Sequence, residues 1–346
     1  MNRGAAKIYP CSTALWVTLL TCWLLITSSL TFADISAPST PTDVTLAEPL
    51  IKPLSIVLSP NTIEDTRLFL AGRSIHNLSS YNGEHSRRDV ASFILLQQAL
   101  YKGGYKGELE VHAVMPYLRN LRYISDGKIA LLGEPIWLSD VSSNTDKIFI
   151  SSAVINHGEF VVGLYVNPTH PLATSPPSAK QLKYYSAASN RNWKKDWQLL
   201  QDLNVKNVQH SLFWRNIVKM VYAGRVDFTL APFQNSPDLS IAAYGLSLAV
   251  VPDVKVILGG SRHFIVSRQH PMGKSSFEQL QRGLKLLRQD GTITRAFTEV
   301  GFFNQKTKNW RLLNPQQHPP TTSTTSGHQV SGSQHRDHLP RSLRPL

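Results

Sequence analysis

Short apolar runs alternate with longer amphipathic segments between residues 52 and 313. Runs such as LSIVLSP (54–60) and LEVHAVMP (109–116) predict strands, because they are short, rich in β-branched residues and end in turn residues. The segment SRRDVASFILLQQALYKGG predicts a helix with Ser86 as its N-cap and Gly103 at its end. Strands and helices alternate with short connections, so the pattern predicts an α/β fold with mostly parallel sheets covered by helices.

The same order of elements occurs twice. The stretch DGKIALLGEPI (126–136) matches AGRVDFTLAPF (223–233), with Gly127 aligned to Gly224 and Pro135 aligned to Pro232. In each copy a predicted helix ends at the glycine, which can adopt the left-handed conformation, and a buried strand follows. This repeat predicts two similar lobes. A late helix, expected to begin at a capping box formed by Ser275 and Glu278, has no third lobe to build and is expected to complete the first.

The predicted domain organisation follows from this repeat. Residues 52–165 form the first lobe, 166–251 the second, and 252–313 return to the first. The chain is expected to cross between the lobes near Tyr165 and near Val251, leaving a cleft at the carboxyl ends of the strands, where ligands of open α/β sheets bind. Residues 34–51 form a linker. Residues 314–346 are polar and rich in Pro, Ser, Thr and His, which predicts a disordered tail.

The N-terminal 33 residues have the pattern of a secretory signal peptide. Arg3 and Lys7 precede an apolar core over residues 13–30, and small residues follow up to Ala33. This pattern predicts export to the periplasm, with an uncleaved membrane anchor as the alternative, since the apolar run is long enough to span a bilayer. Both cysteines, Cys11 and Cys22, fall in this leader, so the mature chain contains no disulfide and no thiol.

The chain is basic, with a formal net charge of +13, and loss of Arg3 and Lys7 with the leader leaves +11. The basic residues are scattered, and no run of Lys or Arg exceeds two. In an exported protein this charge favours an anionic ligand or an anionic envelope surface over nucleic acid. A generic solvated basic surface accounts for the charge as well.

Polar residues at the predicted strand ends of the second lobe are candidates for ligand binding. Ser189, Asn190 and Arg191 lead from a strand into a helix, where backbone amides and a guanidinium group suit an anion. Helix capping by Asn190 is the alternative reading. Asp227 opens the repeated strand, and it is expected to make a hinge or backbone contact and to be only a secondary ligand candidate.

The first lobe supplies four further candidates. Ser59 and Asn61 follow the first predicted strand, and Tyr117 and Arg119 follow the second. Turn formation explains Ser59 and Asn61 as well as ligand binding does. Arg119 faces either the cleft or the solvent side of its helix.

Three marks together give the chain a family resemblance: GRVD (224–227) after VKMVYA, the crossover IFISSAV…VVGLYV, and the late segment LLRQDGTITRAFTEVGF. In order and spacing they resemble the family 3 periplasmic solute-binding proteins, of the type II periplasmic-binding fold, over about Pro53 to Phe303. The resemblance implies a monomer that closes two lobes over a small solute by a hinge motion. It implies an inner-membrane transporter or sensor as partner, and no cofactor, metal or nucleic acid.

Two features of the amino-acid binders in that family are missing. The family carries an Arg before the crossover strand for the ligand carboxylate, and this chain has only Lys147 there. The family also carries an acid at the end of the strand that GRVD opens, where this chain has Ala231 and Pro232. The resemblance therefore implies a polar or anionic solute other than a standard α-amino acid.

Two other classes of function stay open. One is a sensor or scaffold that binds no diffusible ligand, which the missing anchors allow. The other is an exported hydrolase, although the sequence contains no nucleophile elbow, no helical His-Glu-x-x-His motif and no close acidic pair. The sequence thus favours a binding protein over an enzyme.

Overall fold

Two β-sheets flanked by helices make up the described part of the chain, residues 52–113 and 117–314 of a computed structural model. The predicted leader, the linker and the tail from residue 315 lie outside these residues. Among the described residues, no helix is long and apolar enough to cross a membrane.

The strands in chain order are β1 (Leu54–Leu58), β2 (Leu109–Ala113), β3 (Leu131–Leu132), β4 (Ile136–Trp137), β5 (Ile148–Ile155), β6 (Val161–Val166), β7 (Ser186–Ser189), β8 (Asn207–His210), β9 (Phe228–Pro232), β10 (Ile241–Ala243), β11 (Leu246–Val250), β12 (Val254–Ile257), β13 (Arg262–Ser267) and β14 (Arg311–Leu312). The helices are α1 (Pro60–Leu70), α2 (Arg88–Lys102), α3 (Tyr117–Ser125), α4 (Leu138–Val141), α5 (Lys194–Asp202), α6 (Trp214–Tyr222), α7 (Gly273–Gln289) and α8 (Thr292–Glu299).

The two sheets have the same core order. In the first, β2, β1 and β3 are parallel neighbours, and β13 pairs antiparallel with β3, β4 and β5. In the second, β8, β7 and β9 are parallel neighbours, and β6 pairs antiparallel with β9. The expected two-lobed α/β fold is confirmed, and the sequence repeat has a structural cause. The sheets are mixed and not mostly parallel, because antiparallel strands extend the three parallel strands of each one. Gly127 and Gly224 both have positive φ, +74° and +66°, directly after α3 and α6.

The two segments in which the chain passes between the sheets are a few residues away from the predicted crossings near Tyr165 and Val251. Tyr165 lies inside β6, where it pairs with Thr229 of β9, and Val251 follows β11 of the same sheet. Strand β12 also pairs with β6, so the chain leaves the first sheet at residues 156–160 and returns to it at residues 258–261. The sequence does not show where the chain changes from one sheet to the other, because both sheets bury apolar runs like those on either side of each passage.

Two predicted helix starts differ from the structure, and one helix was not predicted. Helix α2 begins at Arg88 with Arg87 as its N-cap, so Ser86 does not cap it. Helix α7 begins at Gly273, and the Ser275 hydroxyl donates to the Met272 carbonyl oxygen instead of forming a capping box. Helix α1 was not predicted, although Ser59 as N-cap followed by proline at the first helical position is a known start signal.

Helices α2 and α7 cross at unusually close range. A Cβ added at Gly283 would overlap the carbonyl oxygen of Ala99, and one added at Gly103 would overlap that of Gln279. The Arg282 guanidinium donates two hydrogen bonds to the Gly103 carbonyl oxygen at the same crossing, at 3.1 and 2.9 Å. This crossing is how the returning segment completes the first lobe.

Candidate functional site

The carboxyl-terminal edges of both sheets meet the two passages between them. In the first sheet, β1 and β3 end there, and the antiparallel β13 begins there at Arg262. In the second sheet, β7 and β9 end there, and β6 begins there directly after Phe160, because Val162 pairs with Pro232. This is the edge at which open α/β sheets bind ligands.

Two arginines from separate elements converge on this edge. The guanidinium carbon of Arg88, at the start of α2, lies 5.3 Å from the centroid of the Phe160 ring. The guanidinium carbon of Arg262 lies 5.3 Å from the same centroid and 5.0 Å from that of Trp137. The Trp137 and Phe160 rings are themselves 5.0 Å apart. We call these four residues, Arg88, Trp137, Phe160 and Arg262, the cleft cluster.

The guanidinium groups of the two arginines differ in their hydrogen bonding. Arg262 Nε donates to the Pro135 carbonyl oxygen at 2.9 Å, and Nη2 donates to the same oxygen. Nε and Nη1 of Arg88 are buried and have no hydrogen-bond partner among the described residues. Buried guanidinium groups are normally paired, so Arg88 is the unusual member of the cluster.

A row of hydrogen-bonded polar side chains extends from the end of β1 to the cleft cluster. We call these four residues, Ser59, Thr62, Asp89 and Glu134, the polar chain. The Ser59 and Thr62 hydroxyls are 2.7 Å apart, and the Thr62 hydroxyl lies 3.1 Å from Asp89 Oδ2 and 3.3 Å from Glu134 Oε1. The Asp89 carboxylate also pairs with Arg87, whose Nε lies 2.8 Å from Asp89 Oδ1. Thr62 therefore lies between two acids from α2 and the β3–β4 connection.

The facing lobe contributes an acid of its own. Asp196 lies in the first turn of α5, beyond the carboxyl end of β7, and both Arg262 and Arg88 are close enough to lower its pKa. Burial nevertheless dominates and raises the pKa of Asp196 to about 6. The neighbouring Lys195 side chain approaches Gly260, next to the second passage. Asp196 of the second lobe thus lies near two arginines of the first lobe.

The other two acids have pKa values that move in opposite directions. Burial, together with the nearby Asp89 charge, raises the pKa of Glu134. Burial also opposes ionisation of Asp89, but Arg87 and Arg88 outweigh it and lower the pKa of that carboxyl. Acids whose pKa values are separated in a cleft are typical of functional sites.

The predicted site residues of the first lobe have different positions. Ser59 caps α1 and belongs to the polar chain. Asn61 is exposed in the first turn of α1, and Arg119 is exposed on α3. Tyr117 is the first residue of α3. Of these four, only Ser59 has a described side-chain contact with the polar chain.

In the second lobe, Ser189, Asn190 and Arg191 lie at the carboxyl edge that faces the passages. Ser189 is buried at the end of β7. The Asn190 amide donates to the Leu212 carbonyl oxygen at 2.9 Å, and its oxygen accepts from the Asn192 amide at 2.9 Å. These bonds form a local turn, but they do not cap α5, whose N-cap is Trp193, so the helix-capping alternative is wrong. Arg191 is exposed, and its guanidinium carbon lies 5.2 Å from the Trp197 ring centroid.

Asp227 and Lys147 lie at the opposite edges of their sheets. Asp227 precedes β9 and accepts from the Ser186 amide at 2.6 Å and from its hydroxyl at 2.7 Å, and it lies 3.1 Å from His170 Nε2. Lys147 precedes β5, whose other end pairs with Arg262. An eight-residue strand is about 25 Å long, so Lys147 is far from the cleft cluster.

Replacing Asp227 with Asn is expected to lower stability at pH 7 by about 1–3 kcal/mol, because charged hydrogen bonds to Ser186 and His170 are lost. Partial burial opposes ionisation of Asp227, but these hydrogen bonds lower its pKa. The wild-type advantage is therefore present above the unfolded-state pKa of about 4 and is lost as the pH falls. Urea unfolding at pH 7 and pH 3 measures this. An equal difference at both pH values would contradict it.

Arg88, Glu134, Asp196 and Arg262 were not predicted as site residues. The pair Arg87-Arg88 was visible only as part of a helix start, and Asp196 only as a polar position of an amphipathic helix. One signal could have indicated Glu134. It follows the repeated strand in the first copy, at the place where the second copy has Ala231.

Comparisons with known proteins found similar architectures among solved structures. No protein-family model and no curated protein sequence matches the chain. Among solved structures, it is similar to the "probable amino-acid ABC transporter extracellular-binding protein ytmK" of Bacillus subtilis, with 12% identity over 72% of this chain and 99% of that one, at a TM-score of 0.48.

Two further similarities are of the same order. The GluR0 ligand-binding core in complex with L-glutamate has 12% identity over 72% of this chain and 98% of its own, at a TM-score of 0.47. The VFT2 domain of Bordetella pertussis BvgS has 11% identity over 71% and 92%, at 0.46. Similarities at these identities and TM-scores carry no function over to this chain.

Proposed function

We propose that this chain is an exported solute-binding protein that closes its two lobes over a small polar or anionic solute. The observation that supports this most is that two buried guanidinium nitrogens of Arg88, Nε and Nη1, have no partner among the described residues, at the edge where the two sheets face each other. Protein groups leave Arg88 incompletely satisfied, and a bound solute with acceptor oxygens would complete its hydrogen bonds.

Groups from both lobes surround this position, which suits a closing mechanism. Arg88 and Arg262 belong to the first lobe, whereas Asp196 and Phe160 lie at the edge of the second. A solute that contacts both sides binds the closed form more tightly and shifts the population towards it. The two passages at residues 156–160 and 258–261 are the candidate hinges.

The solute class remains part of the proposal. The amino-acid anchors expected from the resemblance are absent from their usual positions, which favours a solute other than a standard α-amino acid. The cleft supplies cations and acids from other elements, so a polar or anionic solute still finds partners of both signs. Export to the periplasm, a monomeric state and an inner-membrane transporter or sensor as partner belong to the same proposal.

A thermal-shift screen of residues 34–346 tests this function. A bound solute at a hundred times its Kd is expected to add about 2.7 kcal/mol of stability. The screen should include organic acids, amino acids, sugars and nucleotides, each at 1 and 10 mM. A complete lack of response across all four classes would reject the binding function and favour the ligand-free scaffold.

A second candidate function rests on Glu134. A carboxyl group whose pKa is raised in a cleft, beside arginines, has the properties of a general acid. Incubating the protein with each stabilising compound and separating the products by chromatography tests this. Turnover that is lost in Glu134→Gln, with binding retained, would establish an enzyme. Unchanged compounds leave the protein as a binder.

A further inference from the structure

Arg87 and Arg88 are adjacent in sequence but have opposite environments. The Arg87 guanidinium pairs with Asp65 and with Asp89, which places it in a local ion-pair network. The described contact of the Arg88 guanidinium is with the Phe160 ring, and two of its nitrogens are buried without a partner. Ion pairs within the described residues therefore account for Arg87, whereas two donors of Arg88 have no hydrogen-bond partner there.

Buried donors without a hydrogen-bond partner destabilise the protein that carries them. Such a group persists where binding requires it, since groups placed for a ligand are often unfavourable for the empty fold. The Phe160 ring holds the Arg88 guanidinium in place without using its hydrogen-bond donors, because a cation over a ring face is attracted electrostatically. The Nε and Nη1 donors of Arg88 are thus held in place without a hydrogen-bond partner among the described residues.

The surrounding charges narrow the class of anion. Arg262 contributes a second positive charge beside the same ring. Asp89, Glu134 and Asp196 supply acids around both arginines, as their mutual effects on pKa show. A multiply charged phosphate would be repelled by these acids. A carboxylate carries one charge, and its two oxygens match the planar donors of a guanidinium.

We propose that Arg88, with Arg262 beside it, binds a carboxylate group of the solute. This anchor lies at the start of α2 and not before the crossover strand, where Lys147 was the only candidate. The inference rests on the proposed binding function and makes it more specific, because it names the chemical group and the residue that receives it.

The test uses matched pairs of compounds with two matched variants. Acetate, succinate and citrate are compared with acetamide and succinamide by thermal shift and calorimetry at pH 7. Arg88→Gln is expected to weaken binding of the responding carboxylate at least about tenfold, as expected for the loss of one partner of a buried charge pair. Arg122→Gln, which removes the same charge from an 82% exposed side chain on α3, is expected to leave binding unchanged.

The ligand-free proteins provide an independent readout. Arg87→Gln is expected to lower the ligand-free Tm more than Arg88→Gln does. Arg87→Gln breaks ion pairs with Asp65 and Asp89, whereas Arg88→Gln removes two unsatisfied donors together with the charge that offsets the nearby acids. If Arg88→Gln lowers the Tm as Arg87→Gln does, the residue is structural and the inference fails. Should Arg88→Gln not fold, Arg88→Lys keeps the charge but loses the planar donors, and it should still weaken carboxylate binding.

The outcomes separate the two proposals. Binding of a carboxylate that depends on Arg88 supports both. Binding of the neutral amides, or of any compound to wild type and Arg88→Gln with equal affinity, overturns the carboxylate site but leaves the binding function standing. No binding of these compounds or of the wider screen overturns both.

Discussion

Gly283→Ala is expected to be the most destabilising single substitution considered for this fold, lowering the free energy of unfolding by about 3 kcal/mol or more. The added methyl group would overlap the backbone of α2 at Ala99, and backbone cannot move aside as a flexible side chain can. The two helices would have to separate, and the first lobe would lose part of its cover. Thermal unfolding should show a drop in Tm of roughly 6–12 °C.

The sign of this result is informative. In an isolated helix, Gly→Ala is stabilising by about 1 kcal/mol. A stabilisation of that size in Gly283→Ala would show that α2 and α7 do not cross closely at this position. Lys285→Ala, at an exposed position in the same helix, is the control and is expected to change stability by less than about 0.5 kcal/mol.

Asp196→Asn is expected to stabilise the ligand-free protein above pH 6 by about 1–3 kcal/mol. Burial raises the pKa of Asp196 from 3.8 to about 6, although Arg262 and Arg88 act in the opposite direction. Each unit of difference between folded and unfolded pKa corresponds to about 1.4 kcal/mol. The asparagine side chain keeps the shape of the protonated acid and avoids the buried charge.

The pH dependence follows from the direction of the shift. A raised folded-state pKa favours folding fully below the unfolded value of 3.8, and this contribution is lost as the pH rises through about 6. The difference between Asp196→Asn and wild type should therefore be largest at pH 7.5 and should disappear near pH 3.5. Urea unfolding at four pH values measures it. A constant difference, or one that grows towards low pH, would show that Asp196 is not buried next to the arginines as described.

The order of strands and helices could be predicted because each element carries its own periodicity. The repeat around Gly127 and Gly224 was correct, since a helix end and a strand start are local events that a few residues decide. The predicted N-caps Ser86 and Ser275 were wrong by one and by three residues, because several polar residues near each end compete for the capping position. The passages near Tyr165 and Val251 were misplaced because strand pairing, which decides them, is not local.

Of the residues at the candidate site, only Ser59 at its edge was predicted from the sequence. Ser59 belongs to the polar chain that reaches Thr62, and it could be found because it directly follows a strand. Arg88, Glu134, Asp196 and Arg262 come from four elements separated by up to 174 residues, and each is an ordinary polar position within its own segment. Their convergence depends on the crossing of the chain between two sheets, which no local pattern encodes.

By itself, the sequence determined the alternation of elements, the internal repeat and the basic charge of the chain, because periodicity, turn residues and charge act over a few residues. The tertiary structure alone decided which charges face one another across the cleft. It also decided that Arg87 pairs with Asp65 and Asp89, whereas two nitrogens of Arg88 have no hydrogen-bond partner among the described residues. The physical reason is that pairing depends on distances between elements, and a hydrogen bond extends only about 3 Å.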